Sequence, residues 1–308
     1  MLDQAEASKN PRVWEVVGRT CLLVPPAEPE LRRAIALIDR AMSTQHDRHG
    51  LFPFFRAAKG FAECRADHPE AAIAIMDGDV AGVLGPAPQL IVAISLSRLG
   101  RPVEARRALA RAVVNYDWSP GGADTADEWM CHVLRREAQA ILPDLSAFLD
   151  GRYQPRDSDE RLAMTAECQF RELTVAHAHL WAESFAADPS MEMHRGRERA
   201  VPAAAMAGCD IGKDAAMLTA AERARWRRLA CEWCRAELAT AMSDATNEAG
   251  AAGQQRAAAT IRTWSTSPDL AGVRDPAALA RLPPAEQMEW TDFWQRTAPI
   301  IKSARPKN

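Results

Sequence analysis

The residue pattern predicts an all-α chain of helix pairs stacked one against the next, and three observations carry the prediction. Residues 54 to 79 and 87 to 112 repeat one small-residue pattern 33 positions apart: Gly60 and Ala72 in the first copy, Ala93, Ala105 and Ala112 in the second. Small side chains there let paired helices approach closely, and the spacing matches the roughly 34-residue length of a helix-turn-helix repeat. Apolar residues recur between them at helical spacing, Phe55, Phe61, Ile73 and Met76, then Ile91, Ile94, Leu99 and Leu109. A lone hairpin cannot bury such a face, so the pattern requires stacked neighbours. The composition agrees: 308 residues, 47% apolar and 26% charged, suffice for an ample core.

Element by element, a first pair is expected over Val13 to Leu23 and Glu28 to Ser43, divided by Pro25, Pro26 and Pro29, because proline lacks the donor a helix interior needs. Ala34, Ile38 and Ala41 repeat the second-helix spacing. Pairs at 52 to 79 and 86 to 116 follow, opened by Pro53 and Pro86, with Asp67 and Gly100 expected to hold their turns. Residues 117 to 126, with Pro120, Gly121 and Gly122, read as the loosest stretch of this half, and Glu128 to Leu142 as a helix capping the array. Beyond a linker at 150 to 158, helices are expected over 158 to 172, 174 to 187 and Ala220 to about Met242. The last of these sets Trp226, Leu229, Ala230 and Trp233 against a polar face of Arg223, Arg227, Glu232 and Arg235. Pro202 predicts a helix start near Val201 rather than upstream. An Ala/Gly stretch from Asn247 to Gly253 precedes a helix through Trp264 and a last helix bearing Trp290, Phe293 and Trp294, and 303 to 308 should fray. The divisions are therefore 1–149, an N-terminal array; 150–247, a second block with a degenerate pair; and 248–308, a helical tail.

Several segments resemble one family. They are Thr20-Cys-Leu-Leu-Val-Pro-Pro26, Phe52-Pro-Phe-Phe55, Arg98-Leu-Gly-Arg101 and Leu134-Arg-Arg-Glu-Ala138. More specific are Ser184-Phe-Ala-Ala-Asp-Pro189, Glu222-Arg-Ala-Arg225 and Ser267-Pro-Asp-Leu-Ala-Gly-Val-Arg-Asp-Pro-Ala-Ala-Leu-Ala280. The chain resembles the tetratricopeptide-repeat regions of planctomycete proteins, which occur alone or after a serine/threonine protein kinase domain. The resemblance implies a tetratricopeptide-like α-solenoid with kinase-linked relatives, and it offers no catalytic residue. Cys64 departs from it where a Tyr is usual, as does Glu198-Arg-Ala-Val-Pro202 at a helix start.

Net charge is −3 with bases and acids interleaved, which excludes the basic stripe that nucleic-acid phosphates require. No apolar run approaches the roughly 20 residues of a spanning helix, and the polar start lacks a signal-like core, so no membrane partner is expected. Seven scattered cysteines suit a reducing compartment, and a cytoplasmic location is expected. Phosphoryl transfer needs a Gly-rich phosphate cover, a strand-borne Lys, a catalytic Asp and a magnesium Asp; none has its motif here, so no enzyme activity is expected. Gly208-Cys-Asp-Ile-Gly-Lys213 is one residue short of a phosphate loop, and Asp214 stands where a magnesium-binding hydroxyl belongs. Cys231 and Cys234 have half-site spacing but lie mid-helix without further ligands, and His177 and His179 point about 200° apart on a helix. These read as packing and as helix-surface or edge residues, with no metal and no cofactor.

The expected function is a non-catalytic scaffold for a protein or peptide partner, the alternative being a detached C-terminal regulatory portion of a serine/threonine kinase. A groove would lie on the face lined by the first helix of each pair. Arg65 and Arg98, equivalent across the repeat, are the candidates to hold carboxylates of an acidic peptide there, unless both are solvated charges near helix ends. Ala57, Phe61, Leu90 and Ile94 occupy the positions of a polar clamp, which leaves an apolar groove or intramolecular packing equally open.

Overall fold

The computed structural model describes residues 1–44, 50–193, 196–243, 246 and 248–302. Every regular element among them is helical, and neighbouring helices pack in the solenoid-like succession the sequence predicts. The end expected to fray, 303 to 308, and Asn247 lie outside the described residues. Where the sequence set divisions after 149 and 247, the contacts separate two compact units, Met1–Ala166 and Glu167–Asn308.

In the first unit α1 (Leu2–Ala7) precedes three pairs: α2 (Pro11–Cys21) with α3 (Glu28–Thr44), α4 (Phe52–Arg65) with α5 (Pro69–Ile75), and α6 (Ala87–Arg98) with α7 (Pro102–Val114). Asp67 and Gly100 do hold the turns, both left-handed at φ 62° and 68°. This lets the next N–H reach back five residues, His68 to the Glu63 carbonyl at 2.9 Å and Arg101 to that of Leu96 at 3.0 Å. The small residues serve as expected. A Cβ on Gly60 would lie 2.8 Å from Met76 Cε, and Ala72, Ala93 and Ala105 are fully buried. Gly18 does the same for the first pair, 2.7 Å from Ile38 Cγ1, although it lies 42 rather than 33 residues before Gly60 and so falls outside the repeat spacing. The helix expected to reach 79 stops at Ile75, where Asp77 takes the Gly78 N–H and starts a tighter 3-10 turn.

After the pairs come α8 (Ala126–Ala138), α9 (Leu145–Leu149) and α10 (Ser158–Phe170), the last containing the division between units. Thr125 and Glu128 close a reciprocal cap that fixes the start of α8. The preceding loop is less loose than its composition suggests. Trp118 is buried, its indole N–H donating to the Val113 carbonyl at 2.9 Å.

The second unit contains α11 (Thr174–Ala187), α12 (Gly196–Gly208), α13 (Ala220–Met242), α14 (Glu248–Thr266), the short α15 (Ala271–Arg274) and α16 (Pro276–Leu279), and α17 (Pro284–Lys302). Helices α11 to α14 pack in sequence, and α17 closes on α13 and α14. The left-handed turn recurs at Glu172 (φ 60°) and Asp210 (φ 64°), with Leu173 bonding back to Cys168 and Ile211 to Met206. Two sequence expectations are corrected here. Helix α12 starts at Gly196, so Pro202 lies inside it; the Glu198 carbonyl, which a residue-202 N–H would have bonded, instead accepts the Trp264 indole N–H at 3.3 Å. The Ala/Gly stretch from residue 248 is the first turn and a half of α14, since alanine favours helix more than glycine opposes it there.

Candidate functional site

The three first helices α2, α4 and α6 lie side by side, and the repeat-equivalent arginines sit at the ends of α4 and α6. Helix C-termini leave carbonyls without intrahelical donors, and each arginine supplies donors to the helix before it. Arg65 Nε donates to the Leu22 carbonyl at 2.7 Å and Nη2 to that of Leu23 at 3.2 Å; Arg98 donates to the Cys64 carbonyl. Arg65 is therefore not a solvated charge, whereas Arg98 remains exposed at the end of α6. The Arg65 side chain is only 2% exposed, and its guanidinium packs 4.8 Å from the centre of the Phe61 ring.

The carboxylate the two arginines meet is internal. Glu137, near the end of α8, receives both Arg65 Nη groups at 2.6 Å as a bidentate pair, and Arg98 Nη2 lies 3.6 Å away. Helix α8 packs chiefly on α6 and reaches α4 and α2 through Glu137 and Asp127. Near its start Asp127 accepts from Arg19 Nη1 at 2.7 Å, while Arg19 Nε bonds Glu15 at 2.5 Å within α2. Burial pushes the Glu15 carboxyl up despite Arg19 beside it; burial opposes the Arg19 charge, but the two carboxylates outweigh it and hold that charge more firmly than usual. Between these polar anchors Met130 meets Ala57, Phe61 and Ile91 around a void with room for about one water molecule. Ala57, Phe61, Leu90 and Ile94, the expected groove positions, are all buried.

The remaining sequence candidates are structural. The segment Gly208 to Lys213 is a turn packed on the start of α11, where Thr174 donates to the Ile211 carbonyl and Asp214 accepts the Val175 and Ala176 N–H groups at 3.1 and 2.9 Å. The anion position at that helix N-terminus is thus filled by the chain's own carboxylate. Cys231 and Cys234 are buried in α13, which pushes the first thiol up to about 11 and the second well above its ordinary value, away from the thiolate that redox or metal chemistry uses. Among the described residues no three His, Cys, Asp or Glu side chains gather as a metal site would require. His177 departs from the expected surface or edge placement. It is buried, and its Nε2 accepts from Trp181 Nε1 at 3.0 Å; burial, with Arg199 adding to it, lowers it to about 4. His179 is exposed, next to Glu183.

Sequence reasoning missed Arg19, Asp127 and Glu137. The 15/19 spacing of opposite charges was a signal for a helix ion pair, but such pairs are usually solvated, whereas this one is buried and joined by Asp127 of α8. Arg227 was placed on a polar face; it is buried, donating to the Gly208 carbonyl at 2.5 Å and paired through Nε and Nη2 with Glu286 at 2.5 and 3.0 Å. No family model, curated protein or solved structure matches the chain. Among the described residues no helix is long and apolar enough to cross a membrane.

Proposed function

We propose that the chain is a non-catalytic, tetratricopeptide-like scaffold that binds a protein or peptide partner in the cytoplasm, of the planctomycete kind also found behind serine/threonine kinase domains. The observation that supports this most is the row of first helices with three arginines turned toward one helical segment, a geometry suited to holding an amphipathic helix. The buried, high-lying thiols and the internally filled helix N-terminus of α11 also favour binding over chemistry. The second reading, a detached regulatory portion of a serine/threonine kinase, rests on the resemblance of the 267 to 280 segment. An in-frame kinase domain encoded upstream would favour it.

The scaffold reading is tested by affinity capture from native lysate with the wild-type chain beside a variant carrying Trp129→Ser and Val133→Ser, the exposed large apolar residues of α8, and Arg98→Glu. A discrete partner captured by the wild type supports the scaffold, and its loss from a variant of unchanged helicity assigns it to the exposed surface of α8 and the Arg98 end of α6. Absence of any saturable partner, or a chemical turnover by the purified chain, contradicts it.

A further inference from the structure

We propose that the first-helix face of the N-terminal unit is a binding site for an amphipathic helix bearing two carboxylates ten residues apart, and that α8 occupies it as an internal copy of that ligand. The proposal rests on the scaffold reading and adds the ligand's chemistry and its competitor.

If α8 left, each of the three arginines would keep a partner. Arg19 retains Glu15 on its own helix, Arg65 retains the Leu22 and Leu23 carbonyls, and Arg98 retains the Cys64 carbonyl. A buried charge stripped of its only partner is strongly destabilising, but none of these three would be stripped. Each is held in place by the array and turns further N–H groups toward α8. That is preorganisation, which lowers the cost of ordering a binding site.

The spacing on α8 then defines the ligand. At 100° per residue Asp127, Met130, Leu134 and Glu137 fall within one stripe roughly 80° wide, the acids meeting Arg19 at one end and the Arg65 and Arg98 pair at the other. Beside that stripe Trp129 and Val133 are 47% and 39% exposed, while on the far side His132 and Arg135 are buried against Trp118. Met130, a flexible side chain suited to irregular gaps, leaves the void beside Phe61 and Ile91. A ligand helix with a bulkier apolar residue at that position would fill it.

The test uses the full chain and a fluorescein-labelled peptide of residues 124 to 140, with binding followed by anisotropy. Asp127→Asn with Glu137→Gln in the chain loosens the internal helix without touching the arginines. The loosened chain is expected to bind the acidic peptide at least tenfold tighter than the wild type does, and to bind a peptide with both acids amidated at least tenfold more weakly than the acidic one. Equal binding of the two peptides, or binding of neither by a loosened chain that keeps its helicity, overturns the proposal. So does cooperative loss of all helical signal in the loosened chain, because α8 would then be indispensable core. A partner captured through another face would leave the scaffold reading standing while this site failed.

Discussion

Both units bury an arginine that joins the carboxy-terminal end of one helix to a glutamate on a later one, and they differ in what else holds it. In the first unit Arg65 bonds two carbonyls beyond α2 as well as Glu137 of α8; in the second Arg227 bonds the single Gly208 carbonyl at the end of α12 as well as Glu286 of α17. A guanidinium presents five donors in a fixed fork, so the more carbonyls it engages, the less it depends on its carboxylate. Apart from the later helix, Arg65 thus keeps two carbonyl partners and Arg227 one. Gly208 lets α13 approach so closely that a Cβ would lie 2.5 Å from Arg227 Cγ.

The sharpest way to break this comparison is to remove each partner in turn. Arg65→Met and Arg227→Met should each cost about 3 kcal/mol, since each leaves a carboxylate and carbonyls short of donors at a mostly buried site. Glu137→Gln should cost about 1 kcal/mol and Glu286→Gln about twice that, measured by urea denaturation with hydrogen exchange resolving the two units. Equal costs for the two glutamine variants would remove the distinction.

A second contrast is with pH. His177 of the second unit is neutral in the fold because the Trp181 indole is only a donor, which requires a lone pair on Nε2. Its folded value of about 4 lies below the ordinary value near 6.5, so the unfolded chain takes up the proton first as pH falls. The associated stability is complete above about pH 6.5 and is lost progressively towards pH 4, amounting to about 3 kcal/mol. Acid should therefore weaken the second unit in this window, and His177→Gln should flatten the dependence. An unchanged slope in that variant would assign the acid response to other groups.

The proline inside α12 gives a smaller and more local effect. Trp264→Phe removes the donor that satisfies the Glu198 carbonyl and should cost about 1.5 kcal/mol beyond a packing-neutral change. Adding Pro202→Ala restores a backbone N–H and should recover most of that loss, giving a coupling in a double-mutant cycle; additive effects would mean the indole bond contributes nothing. Smallest of all, Thr125→Ala and Thr219→Ala remove equivalent reciprocal caps from α8 and α13 and should cost about 1 kcal/mol each, a calibration between the units.

Much of this fold was legible in the sequence, for identifiable reasons. Gly60, Ala72, Ala93 and Ala105 mark close helix approach, and Asp67 and Gly100 are residue types that enter the left-handed region readily. The same turn at Glu172 was hidden because glutamate carries no such preference. Pro202 misled because the Trp264 indole that satisfies its helix comes from 62 residues further along, and no local pattern carries that information. The candidate site was legible only in part. Arg65 and Arg98 share a repeat phase, but their partner Glu137 lies outside the repeat, and a charge at such spacing reads as solvated until a distant helix covers it.

The most direct measurement of the central claim is native-state hydrogen exchange of the wild-type chain, comparing amides of α8 with those of α4 and α6. The α8 amides are expected to exchange through a separate opening, on the order of 2 kcal/mol below that of α4 and α6, with the first-helix row still protected. Exchange of all three helices through one common opening would contradict it and make α8 an inseparable part of the array.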